Sequence, residues 1–140
     1  MSNKLFKLLI PVLAAIGIIG PANAESLAEK QFKVVHGNVG FARGTTERDR
    51  LVNAVTCFPK LLDKSPIDLE KTLGSNDGRT EISNGKQKTL IVAYVLSVRS
   101  YNKASGRGEI LVANFSFIHG KLESLKLCCV DVIDGRDMVN

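Results

Sequence analysis

The chain has 140 residues, 19 Lys and Arg against 14 Asp and Glu, and a formal net charge of +5. That length suits one domain, and a mildly basic balance without a basic block does not point to nucleic acid. Its three cysteines, Cys57, Cys128 and Cys129, form neither a C-x-x-C redox motif nor a zinc-type spacing.

The chain opens Met1-Ser2-Asn3-Lys4-Leu5-Phe6-Lys7, runs apolar over residues 8–19, and then reads Ala22-Asn23-Ala24. A basic start, a short apolar middle and an A-x-A ending predict a secretory signal peptide cleaved after Ala24. The apolar run contains Pro11 and is shorter than the roughly 20 residues a membrane-spanning helix needs. Residues 25–140 are then a single mature domain of 116 residues with 17 basic and 14 acidic side chains. It is expected in the periplasm or outside the cell, with no membrane span. The first mature residue is Glu25 rather than Cys, so no lipid anchor is expected.

Residues 26–35 fit neither a helical nor a strand period and read as a short helix running into an extended piece. Residues 36–40, His-Gly-Asn-Val-Gly, read as a turn. Thr46 is an N-cap candidate with Asp49 three residues on. Leu51, Val55, Phe58 and Leu62 then recur at helical spacing. Pro59 is expected to break that helix at Phe58. Ser65 caps a second helix with Pro66 as its first residue, and Gly74 stops it after Leu73; Ile67, Leu69 and Leu73 are its apolar residues. Residues 75–88 are polar and read as a loop, with a possible hairpin at Asn84-Gly85. Three strands follow, over residues 89–101, 109–118 and 121–133, joined by short turns. The expectation is an α+β fold, two short helices packed on one face of a three- to four-stranded antiparallel meander.

In an oxidising compartment Cys57 is expected to bridge to Cys128 or Cys129. Cys129 is preferred because it shares a strand face with Leu125 and Leu127. Adjacent cysteines rarely bond to each other. A loop of about 70 residues closed this way contributes about 4 kcal/mol in the chain-entropy account.

Residues that would carry catalysis are few. His36 and His119 each lie beside a glycine in a turn, and a Cys129–His119 nucleophile–base pair is conceivable but not demanded by the spacing. Asp131, Asp134 and Asp137 read as a solvated terminus, too widely spaced for a calcium loop. Gly106-Arg107-Gly108 opens a strand, not the helix a phosphate cradle needs. Asn114-Phe115-Ser116 matches a glycosylation sequon inside a strand. No metal or cofactor is expected.

Binding is a better match to these residues. Arg79, Lys86, Lys88, Lys103 and Arg107 fall on two polar segments that could meet at one end of the sheet. Tyr101, Lys103, Arg107 and Arg79 are the candidate binding residues, since Tyr and Arg dominate many interfaces and loops are free to reach a partner. The second candidate is the sheet face opposite the helices, expected to show Tyr94, Asn114 and Ser116.

Residues 44–127 carry a resemblance. Gly44-Thr45-Thr46-x-x-Asp49-x-Leu51 enters a short helix, Leu69-Glu70-Lys71-Thr72-Leu73-Gly74 precedes a polar loop, and residues 112–122 make strand, glycine turn and strand. This resembles the α/β unit shared by the SmpA/OmlA family of small outer-membrane assembly lipoproteins and the β-lactamase inhibitory protein. The resemblance implies a domain that acts by binding other proteins and has no active site. The missing lipidation Cys and the three cysteines depart from the lipoprotein pattern and argue against the assembly-machine role.

The expected function is therefore a non-enzymatic periplasmic or secreted protein-binding domain, an inhibitor or immunity-type protein whose partner is another envelope or secreted protein. The alternatives are an envelope structural or assembly adaptor and, third, a small secreted hydrolase using His36 or His119.

Overall fold

The computed structural model describes residues 26–37 and 39–133; the stretch read as a signal peptide, and Asp134 and Asp137, lie outside them. Three helices, α1 (Leu27–His36), α2 (Glu47–Leu61) and α3 (Pro66–Leu73), precede four strands, β1 (Gly78–Asn84), β2 (Gln87–Asn102), β3 (Arg107–Ile118) and β4 (Lys121–Ile133). The strands form one antiparallel sheet in chain order, β1-β2-β3-β4. Among the described residues this is the expected α+β meander, with one more helix and four strands.

Local chemistry sets the helix starts. Thr46 Oγ1 accepts from the Asp49 amide at 3.1 Å and caps α2. Ser65 and Asp68 complete a reciprocal capping box on α3, which holds the Asp68 carboxyl below its ordinary range through the Ser65 backbone amide and then its hydroxyl. Gly74 stops α3 at φ 89°, a conformation costly for any residue with a Cβ. Pro59 does not end α2, which runs on to Leu61. It sits exposed in the last turn, so the one i→i−4 bond it removes is at the helix end and only Lys60 and Leu61 follow it.

Leu51, Ala54, Val55, Cys57 and Phe58 of α2 and Leu69 and Leu73 of α3 pack on one sheet face, against Val92, Tyr94, Leu96, Ala113, Phe115, Phe117, Leu122 and Leu125. Ile67 points outward and is 64% exposed.

The two expected helices, α2 and α3, share that one face, and a further helix adds cover on the other. α1 packs on the second face, where Phe32, with Ala28, Val39 and Phe41, covers Ala93, Val95, Val98, Tyr101, Ile110, Val112, Val130 and Val132. Ser26 caps α1 through the Glu29 amide at 3.0 Å. Its apolar contact rests on Ala28 and Phe32, one turn apart, while Leu27 and Val34 are exposed, so no clean period shows in the sequence.

The residues between α1 and α2 cross from one face to the other around the edge of β2. β1 pairs only with the first half of β2, up to Ala93. Beyond it three groups seal the bare edge. Phe41 makes an isolated parallel bridge to Val95, the Asp77 carboxylate accepts the Val95 amide at 2.7 Å, and the buried Arg50 guanidinium donates to the Leu96 carbonyl. Arg50 also pairs with Glu29 of α1 at 2.6 Å and lies 4.3 Å from the centre of the Phe41 ring. Residues 78–84, read as part of a loop, are the edge strand β1. Their side chains are mostly exposed, which removes the apolar alternation that marks a strand.

Candidate protein-binding surface

The β2–β3 turn carries the exposed side chains of Lys103 and Arg107, as expected. Two of their proposed companions are elsewhere. Tyr101 is only 8% exposed and packs edge-on against Phe32, with ring centres 5.4 Å apart. Arg79 pairs with Val92, ten residues before Asn102, which puts it roughly 33 Å away along the strand at about 3.3 Å per residue. Lys86 and Lys88 sit at that same far end of the sheet. The four candidate binding residues therefore do not make one surface, and the aromatic anchor is part of the core.

The residues considered for nucleophilic chemistry are also apart. Cys129 pairs with Leu111 in the middle of β4, whereas His119 follows Ile118 at the end of β3, roughly 26 Å away by the same spacing. His119 lies at φ 53° in the β3–β4 turn, beside a hollow of about 360 Å³ lined by Glu81, Lys86, Lys88, Leu90 and Phe117. Among the described residues no group of three His, Cys, Asp or Glu side chains is placed to hold a metal, and no helix is long and apolar enough to cross a membrane.

All three thiols are free. Cys57 is buried under α2 and donates to the Ala54 carbonyl at 3.2 Å; burial pushes its thiol up to about 12, where little of the nucleophilic thiolate forms. Cys129 stands opposite Leu111, on the same face as Cys57, and is exposed. Cys128 stands opposite Val112 on the second face and accepts a hydrogen bond from Asn114 Nδ2 at 3.3 Å. Burial raises its thiol as well.

The second face of the sheet offers the most continuous surface. Directly opposed residues of an antiparallel ladder share a face, so two cross-strand rows follow from the register. One is Ile82, Thr89, Ile118 and Lys121; the next is Thr80, Ile91, Ser116 and Ser124. The cluster that α1 covers begins at the third row, with Ala93. No described element covers the first two rows, which are exposed or half-buried, with Ile82 at 47%. At the border with the covered half stands Asn114, 6% exposed, whose buried Oδ1 has no hydrogen-bond partner among the described residues.

Of the residues expected on an open face, Ser116 lies in the bare half, while Asn114 shares that face but is buried at its border. Tyr94 is not on that face: it is buried on the first face, donates its hydroxyl to the Gly74 carbonyl at 2.7 Å, and stacks edge-on with Phe115 at 5.9 Å. Ile82, Ile91 and Ile118 were missed. Their alternation with Glu81, Leu90 and Phe117 was readable, but which half of the face α1 leaves bare was not.

Comparison with protein-family models, with curated proteins and with solved structures finds no match.

Proposed function

We propose that this chain is a non-enzymatic protein-binding domain of the periplasm or the cell exterior, acting as an inhibitor or immunity-type protein through the bare half of its second sheet face. The observation that carries this reading is the patch itself: three isoleucines interleaved with Thr80, Thr89, Ser116 and Ser124 on a rigid four-stranded platform. Apolar side chains alternating with neutral hydroxyls suit a protein partner, since interface cores are depleted in charge. The resemblance of residues 44–127 to a lipoprotein family and an inhibitory protein that act by binding agrees with this. The Lys4/Lys7 start and Ala22-Asn23-Ala24 support export, with Glu25 as the mature N-terminus.

The test uses exported protein, first confirmed by mass spectrometry to begin at Glu25, as bait in an envelope extract. The captured partner is purified and its affinity measured by calorimetry. Ile118→Lys or Ser116→Arg should weaken binding at least tenfold, and Lys103→Ala with Arg107→Ala should leave it within twofold. The opposite pattern would move the interface to the β2–β3 turn.

A further inference from the structure

The two edges of the sheet are treated differently. On the β1 side the edge strand has seven residues and is almost wholly polar, and the β2 edge just beyond it is closed at Val95 and Leu96 by Phe41, Asp77 and Arg50. On the other side β4 runs for thirteen residues. The α2–α3 loop meets its outer edge at Leu122, whose amide donates to the Lys64 carbonyl at 2.9 Å and whose carbonyl accepts from the Asp63 amide at 3.1 Å; beyond Leu122 no strand among the described residues pairs with that edge. An unpaired edge of that length presents a row of free backbone donors and acceptors, and proteins ordinarily block such edges with short strands, charges, bulges or cover.

The β4 edge is blocked near its start, by that loop at Leu122 and by a bulge just after it. The register shift at Ser116/Phe117 leaves Glu123 as an extra residue between Leu122 and Ser124. The regular edge is therefore residues 124–133, and only Lys126 and Asp131 in it are charged. Its midpoint falls between Cys128 and Cys129.

We infer that the outer edge of β4 pairs antiparallel with β4 of a second copy of this chain, about a two-fold axis at the Cys128–Cys129 pair, to make a continuous eight-stranded sheet. A strand is complementary to its own copy run antiparallel, so a two-fold pair satisfies both edges at once. With Cys128 on the axis, Lys126 faces Val130 of the copy and Asp131 faces Leu125. With Cys129 on the axis, Lys126 faces Val132 and Asp131 faces Leu127. Neither register opposes like charges. Moving the axis to Lys126 sets two ammonium groups against each other, which cross-strand pairing disfavours. This pairing uses the strand edge, not the bare face, and stands independently of the proposed function.

Sedimentation equilibrium on the purified protein in reducing buffer, from about 1 to 100 µM, tests it. A dimer mass is expected at the upper end, and the Cys128→Ser/Cys129→Ser double variant should keep it, because no disulfide is required. Cys129→Lys, at an exposed position, places two ammonium groups directly or diagonally across the axis in either register and should raise the dissociation constant at least tenfold. A circular dichroism melt checks that this variant is folded. In the wild type, amide exchange across residues 124–133 should slow as concentration rises, which gives a second reading without any substitution. Oxidised glutathione should link two copies, each pair of thiols becoming one disulfide with release of two reduced glutathiones. Non-reducing peptide mapping should place that bond between like cysteines, Cys128 to Cys128 or Cys129 to Cys129. A monomer mass at 100 µM, a dimer indifferent to Cys129→Lys, or exchange independent of concentration would each overturn the inference.

Discussion

A methyl group added at Gly108 would lie 2.4 Å from the Ser100 carbonyl oxygen and 2.9 Å from the Tyr101 ring. Gly108 and Tyr101 are register partners, and the ring lies across the glycine before meeting Phe32 on its other side. Tyr101, singled out from the sequence for binding, thus has its ring committed to packing. Gly108→Ala should destabilise the protein by about 1–3 kcal/mol through overpacking, read as a lower denaturant midpoint with an unchanged slope. A variant as stable as wild type would mean that the two strands can separate there without cost.

At the scale of elements, α1 is held on the sheet by contacts of two kinds. Its apolar footprint is Phe32 with help from Ala28, and its polar attachment is the buried Glu29–Arg50 pair across the β2 edge. The same Arg50 fixes Leu96 and the Thr45 carbonyl, so one guanidinium ties α1, the crossing segment, α2 and β2 together. Removing one member of a buried ion pair costs about 3–5 kcal/mol, because the other charge stays behind without that partner. Glu29→Ala should lower stability by that order, with α1 amides exchanging fastest. Glu29→Gln, which keeps an acceptor, should lose less. Equal exchange in α1 for wild type and Glu29→Ala would show that Phe32 alone holds the helix.

For the whole molecule, the closed β2 edge makes stability depend on pH through Asp77. Burial pushes its carboxyl up to about 7, against the opposing pull of the Val95 and Gly40 amides it accepts from. A carboxyl whose folded pKa lies above its unfolded value of 3.8 contributes stability that is fully present below about pH 4. That contribution is lost as pH rises through about 7, up to about 4 kcal/mol at 1.36 kcal/mol per pKa unit. Asp77→Asn keeps an acceptor without the charge. The gain in melting temperature of the variant over wild type should therefore grow from pH 4 to pH 8 and level off above it. A gap that stays constant with pH would mean that Asp77 is ionised throughout and well solvated.

Caps, stops and strand alternation were legible in the sequence, because each is set by neighbours a few residues apart. Thr46, Ser65, Pro66 and Gly74 bound α2 and α3 where their chemistry requires, and the alternation of Leu111, Ala113, Phe115 and Phe117 named the core face of β3. The sequence by itself determined the α+β class, the meander order and most of the first-face core. Only the tertiary structure decided the rest. β1 is a strand because β2 supplies its partners, so its polar side chains carry no strand signal. α1 lies on the second face because Arg50 reaches Glu29 around an edge that β1 is too short to cover. Tyr101 and Arg79 are far apart because β2 is sixteen residues long and each belongs to a different end of it. The bare half-face and the open β4 edge exist for the same reason: they are what short covering elements leave over, a matter of lengths and crossings between residues distant in the chain.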